Sequence, residues 1–572
     1  MEKTKPYVRK NVPDKSLTRA AIKSNTESAP SLALTRRRFL GSVSGVTAVT
    51  LATGAAGLTT LLAPAQAGAA VFIPQNPQQR RTSARLTRLQ AAQFSFTQEL
   101  SVQTDNGEEN DYGGKRIANY SKGLPHNGLG EVDPAAYNQL LHALATGRND
   151  DFEAIPLGGV RPLRNPQAGL AFDLEGPDAQ HGAIRPAPRI DGAENSAEAA
   201  ELYWMALARD VNFSDYASHP LPLAAAADLS GFSDFRGPKA GGVVTPATLF
   251  RGNTPDDLNG PYISQFLLKD IPYGSLTVSQ RQQTVVPGVD YVTSLADWVH
   301  IQNGGLSGSD SFDSTPRYIR SGRDIGQYVH VDALYEAYLN ACLLLLGMGA
   351  PFDPGNPYTH MKKQDAFGTF GGPHILSLVT EVATRALKAV WFEKWFVHRR
   401  LRPEAFGGLV HNRRTGAANY PIQSEILNSA ALVATFSRHG TYLLPQAYPE
   451  GSPLHPSYGA GHATVAGACV TILKAWFDEA FVIPDPVVPS ADGLSLVPYV
   501  GPPLTVGGEL NKVASNIASG RNFAGIHWRT DYSESVKLGE AIAIGVLEEQ
   551  RATYNESASF TLMKFDGTSI TI

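Results

Sequence analysis

Three basic clusters, each at the edge of a helical run, carry the residue types that can bind and activate an oxyanion. In Lys394-Trp395-Phe396-Val397-His398-Arg399-Arg400-Leu401-Arg402-Pro403, Lys394 and Arg402 stand eight apart, within about 80° of each other on a helix. Pro403 is predicted to end that helix, freeing Arg402 to turn toward Lys394. In His455-Pro456-Ser457-Tyr458-Gly459-Ala460-Gly461-His462 a turn-rich run gives way to a small-residue helical pattern. Gly461 and His462 then sit at a helix N-terminus, where free N–H groups and the helix dipole favour an anion. In the third cluster, Arg521 to Asp531, Arg521 and His527 are six apart and share no helix face, so a break at Gly525 must let them converge. Asp531, one turn after His527, is placed to orient the imidazole. Each cluster alone has a plainer reading, the first as a solvated basic helix end. Together they describe a pocket for a multiply charged tetrahedral or trigonal oxyanion.

The elements that must position these residues are mostly helices. Helical patterns cover 330–349, 375–401, 422–440 and 461–481, with two more across 507–550, several apolar on most faces. This predicts an all-α fold, with a catalytic helical bundle over 331–555. Residues 68–330 form a helical but loop-rich region. There Asp133 caps a helix with Pro134 at its first position, and Ser196 opens another. Loops as long as 150–190 read as functional or oligomeric surfaces. In 556–572 the Asp566-Gly567 turn between alternating segments predicts a closing β-hairpin.

Composition removes other classes. Of 572 residues 42% are hydrophobic and 18% charged, with a formal charge of −4. Residues 1–67 hold ten Lys/Arg against three Asp/Glu, which leaves the rest at −11, an acidic body unsuited to nucleic acid. Thr35-Arg36-Arg37-Arg38-Phe39-Leu40, a weakly apolar run and Ala65-Gln66-Ala67 read as a twin-arginine export signal over 1–67. A membrane anchor is the alternative, weakened by the many Gly and Thr residues. The mature chain is expected to be free of the membrane and exported to the periplasm or beyond. Cys342 and Cys469 lie in apolar runs and read as buried thiols. No H-E-x-x-H, C-x-x-C, Walker or G-x-S-x-G motif occurs, and 105–111 lacks calcium-loop spacing.

K-x7-R-P, P-S-Y-G-x-G-H and R-x5-H-x3-D, in that order, resemble the three-part signature of vanadium-dependent haloperoxidases and the related type 2 phosphatidic acid phosphatases. The likeness to the red-algal and cyanobacterial bromoperoxidase branch extends to NPQAGLAFDLEGPD (165–178), RPEAFGG (402–408) and KFDGT (564–568). The resemblance implies vanadate as cofactor, without haem, and oxidation of bromide or iodide by hydrogen peroxide to hypohalous acid, which halogenates small organic acceptors. It implies that His527 binds vanadium through Nε2, with Asp531 behind it. Lys394, Arg402, Arg521 and the Gly461 N–H would hold the oxygens, and His462 would take a proton from peroxide. Trp391 and His455 would bear on halide choice; core packing is an equally simple reading of Trp391, and a satisfied core histidine is the lesser rival for His455. The red-algal relatives form rings of subunits, so the resemblance also implies a homo-oligomer.

Two other functions fit the same cations. In an exported acid phosphatase His527 would be the nucleophile and His462 the general acid. A non-catalytic oxyanion binder is favoured by one feature, Ala460, where the family pattern has a serine. Losing a hydrogen bond to a charged group costs about 1.5–3 kcal/mol. Ser457 and Thr464 are candidates to replace that hydroxyl.

Overall fold

The computed structural model describes residues 76–572, so the export signal expected at 1–67 lies outside the described residues. The fold is all-α, with three two-stranded antiparallel ribbons. At its centre Gly461–Trp476 packs against Arg529–Arg551, Gly372–Phe392 and Val506–Phe523. Glycines allow the first contact. A Cβ on Gly467 would stand 2.0 Å from the Val536 carbonyl oxygen, and one on Gly539 only 1.9 Å from that of Thr464. Every residue of Gly461–Trp476 except His462 is buried, which explains why its pattern is apolar all round. One apolar cluster draws residues from both sides of 330, from Ile117 and Trp204 to Ile572.

Several helices that read as continuous are interrupted, and the interruptions make the site. The 330–349 run is Gly322–Val331 followed by Glu336–Gly347, bent by 101°. Asp332 sits in the bend, with its carboxylate on His462. The 375–401 run ends as a regular helix at Phe392, widens into one π turn over Glu393–His398, and reverses at Arg399 (φ +41°). That left-handed residue is held by Glu109, whose two carboxylate oxygens accept from the guanidinium at 2.7 and 2.8 Å. Lys394 and Arg402 therefore do not share one helix. Arg402 is the N-cap of the next, Pro403–Thr415, with Pro403 starting that helix rather than ending the one before.

Ser196 opens nothing: the helix is Ala193–Ala208, and the Ser196 hydroxyl accepts the Ile426 N–H 2.8 Å away. Ser429 caps Ala430–His439, splitting 422–440 after Ser424–Leu427, and 461–481 stops at Trp476. Asp133 caps Pro134–Thr146 as its sequence indicates. The terminal hairpin pairs Thr561–Met563 with Ser569–Thr571, and Gly567 at φ +84° supplies the turn. Cys342 and Cys469 are free and buried. Among the described residues no single helix is long and apolar enough to cross a membrane.

Candidate active site

The Arg400–Arg402 segment and the loop 455–460 are laced together, which brings the first two clusters into one wall. Ser457 donates its N–H to the Arg400 carbonyl at 3.1 Å. Lys394 donates to the carbonyls of Pro456 and Ser457 at 2.7 and 2.8 Å. Arg402 donates to the carbonyls of His455 and Ile526 and to the ring nitrogens His455 Nδ1 and His527 Nε2, each at 2.9 Å. The third cluster closes the opposite side. Gly525 adopts φ +83°, ending Val506–Phe523 and letting His527 return beside Arg521 before Arg529–Arg551 starts. Arg521 donates to the Val329 carbonyl, and its Nε has no partner.

The electrostatics are lopsided. Lys394, Arg402 and Arg521 are buried, yet none forms a salt bridge with a carboxylate among the described residues. Lys122, Arg400, Lys512 and Arg529, buried as deeply, each have at least one. Burial, with Arg402 and Arg521 adding repulsion, pulls Lys394 well below the usual lysine range. Burial lowers Arg402 to about 10. His527 and His455 are driven well below the ordinary imidazole value by burial and by the same cations. Buried unpaired charge is costly, so such a cage is built to be completed by an anion.

His527 is presented in one tautomer. Its Nδ1 donates to Asp531 Oδ2 at 2.7 Å, so Nε2 carries the lone pair and faces Arg402. Asp531 is itself fixed: Oδ2 also accepts from the Ser457 hydroxyl and the Trp528 N–H, and Oδ1 pairs with Arg400 at 3.0 Å. His462 faces the cage from the first turn of Gly461–Trp476 with 17% of its side chain exposed, and its Nε2 lies 3.1 Å from Asp332 Oδ1. Burial, Arg521 and Lys394 lower its pKa, and Asp332 alone among its strong neighbours raises it.

Residues 437–556 match the family model described as the VCPO second helical-bundle domain. A vanadium-dependent bromoperoxidase of Corallina pilulifera is 40% identical, over 87% of this chain and 100% of its own length. A vanadium-dependent bromoperoxidase of Ascophyllum nodosum is 36% identical, over 86% of this chain and 92% of its own. The chain belongs to the vanadium-dependent bromoperoxidase family. The structure of a second, homohexameric vanadate-dependent bromoperoxidase of Ascophyllum nodosum matches with a TM-score of 0.84 at 29% identity, covering 89% of this chain and 93% of that one.

All ten residues singled out in the sequence lie on or beside this cage, though not all as the spacing suggested. Trp391 packs against the Gly461 backbone, its ring 4.7 Å from His455 and 5.7 Å from the Lys394 ammonium. His455 accepts from Arg402 and so belongs to the cage wall. Ala460 brings no polar group: its N–H goes to the Ser535 hydroxyl at 2.8 Å, and as N-cap it leaves the first-turn N–H groups, Gly461 foremost, without a side-chain partner. The proposed replacement hydroxyls are committed elsewhere, Ser457 to Asp531 and Thr464 to the Ala460 carbonyl at 2.9 Å. Asp332 and Arg400 were missed, as was the part Ser457 plays in fixing Asp531. An aspartate interrupting an apolar helical run could have flagged Asp332. Nothing local points to Arg400, whose partner Asp531 lies 131 residues away.

Proposed function

We propose that the chain oxidises bromide and iodide with hydrogen peroxide to hypohalous acid at a vanadate held between Lys394, Arg402, Arg521, Gly461 and His527. One observation carries the assignment: three buried cations lack carboxylate partners beside an imidazole nitrogen whose lone pair meets only an Arg402 N–H. The donor set fits the group. Lysine has three N–H donors and arginine five. Lys394 spends two and Arg402 four on the protein, and Arg521 Nε is unspent. His527 Nε2 is the one protein atom suited to bind vanadium directly, once Arg402 turns its N–H to an oxyanion oxygen. Bound vanadate supplies Lewis acidity at constant oxidation state, so no electron carrier is needed.

The chain's own residues do the rest. His462, its pKa lowered by burial, donates Nε2–H to Asp332 and takes the proton of incoming peroxide at Nδ1, the nitrogen that this tautomer leaves as a base. Lys394 polarises the oxygen that halide attacks, and the Trp391 and His455 rings border the halide's approach. Small electron-rich organic compounds then consume the hypohalous acid. A phosphatase would use the same cations, but relatives this similar over nearly their whole length bear the name bromoperoxidase.

The deciding experiment loads the apoprotein with orthovanadate and follows peroxide-dependent bromination of a phenolic dye beside p-nitrophenyl phosphate hydrolysis. Bromination that requires vanadate is expected. Phosphate hydrolysis without bromination would sink the reading, and inactivity in both would leave an oxyanion binder. Export by the twin-arginine route is proposed from Arg36, Arg37 and Arg38. Replacing Arg36 and Arg37 by lysine should trap the precursor inside the cell, and unchanged export would refute it. The 68–330 and 331–555 division is kept as a proposal that the second part carries the chemistry. Assembly into a homo-oligomer is proposed from the homohexameric relative.

A further inference from the structure

The helix Pro77–Thr97 is strongly started and almost unsupported. Asn76 and Gln79 form a reciprocal capping box and Pro77 holds the first position, yet none of its 21 residues is buried. Its orientation is inverted. The half-buried line is made of small residues, Ala84, Thr87, Ala91 and Ser95, and the larger apolar side chains Leu86 (50% exposed), Leu89 (46%) and Phe96 (79%) point away. At ~100° per residue those three fall within about 80° of one another, opposite the small-residue line. Most helical stability in proteins comes from packing, which this helix makes little of, and a stripe of exposed large apolar side chains marks a contact surface. The helix has four arginines and no acidic residue.

A receptor of matching character lies at its base. A groove of about 470 Å³ runs between Phe94–Ser101 and the outer face of Arg529–Arg551, floored by Leu538 and Ile542 and rimmed by Glu534, Glu548 and Glu549. Glu548 has no hydrogen bond or ion pair among the described residues, and burial raises both Glu548 and Glu549, as for carboxylates awaiting a cation. Leu86 and Leu89 precede the groove-lining Phe94 by eight and five residues, or roughly 12 and 7 Å at 1.5 Å per residue. The stripe therefore extends beyond the chain's own groove. Phe172 (83% exposed) and Leu174 (103%) precede Pro177 of the same groove by five and three residues.

We propose that Pro77–Thr97 is an arm exchanged between two copies of this chain, each seating Leu86, Leu89 and Phe96 in the other's groove along Arg529–Arg551, with Arg85 and Arg88 meeting Glu548 and Glu549. The contact is self-complementary, as a two-fold interface must be. It rests on the assembly reading above and names its surface and partner.

The test is the solution mass of the full mature chain, by light scattering and mass photometry, with vanadate-dependent bromination per subunit as the control of fold. Wild type should be an even-numbered oligomer, and Leu86→Asp with Leu89→Asp should halve its mass while bromination persists. Arg85→Glu with Arg88→Glu should weaken association tenfold or more, and adding Glu548→Lys should restore it. An unchanged mass in the leucine pair would overturn the arm while leaving assembly intact. A monomeric wild type, or one that instead sediments with anionic vesicles, would overturn both. A wild-type oligomer that shows no vanadate-dependent bromination, and whose mass the leucine pair halves, would count against the function and not against the arm.

Discussion

The two histidines of the cage are held in opposite ways. His527 is buried, and its Nδ1 rests on an aspartate fixed by a hydroxyl, a backbone N–H and the Arg400 guanidinium. His462 keeps 17% of its side chain exposed and leans on one carboxylate at 3.1 Å, across a bend between two helices. A ligand to a cofactor gains from a fixed ring and a fixed tautomer. A base must gain and lose a proton within reach of solvent, so a single carboxylate that lifts its pKa against burial is the more useful partner. The difference in support separates holding from proton transfer.

The strongest way to break that comparison is to remove each ring in turn. His527→Ala should weaken vanadate binding beyond the ten- to hundredfold typical of losing a group that only orients a ligand. His462→Ala should leave binding within a few-fold and cut kcat by about 10²–10⁴. Equilibrium dialysis against vanadate beside bromination kinetics separates the two, and equal losses of binding would show that the histidines do one job.

Asp531→Asn comes next, with vanadate affinity expected to fall roughly ten- to hundredfold because the His527 tautomer is no longer fixed. A variant that binds normally but brominates slowly would move Asp531 to the proton-transfer side. Asp332→Asn sharpens the other half through pH. Asp332 raises the pKa of His462, and its loss leaves only burial, Arg521 and Lys394, all of which lower it. The imidazole then stays neutral to lower pH. The acid limb of kcat/KM for peroxide should move down, and the plateau should fall roughly tenfold as the base weakens. An unmoved limb would mean that another group titrates there.

The smallest effect concerns Ala460, the N-cap residue of the helix that carries His462. Ala460→Ser should tighten vanadate up to about tenfold if the hydroxyl turns into the cage. As N-cap it can instead bond its own first turn, which would raise stability by about 0.5–2 kcal/mol and leave affinity unchanged. Thermal unfolding with and without vanadate distinguishes these outcomes.

The chemistry was legible in the sequence because its parts are local. Asp531 one turn after His527, glycine at the mouth of a helix, and glycine at the break before His527 are short-range arrangements that backbone geometry enforces. The all-α class was legible for a similar reason, since long runs apolar on every face can only be satisfied inside a bundle. What required the tertiary structure are the places where local propensity is overridden by distant partners. The left-handed turn at Arg399 exists because Glu109 holds it, and the bend at Asp332 sets a carboxylate against His462. Arg400 finds Asp531 and Glu198 across more than a hundred residues. That three cations are buried without carboxylates could not be read from residue types either, because unpaired charge depends on everything packed around it. Sequence therefore determined which groups meet the anion. Only packing decided which are fixed, which can move a proton, and that their charge is left for a ligand to balance.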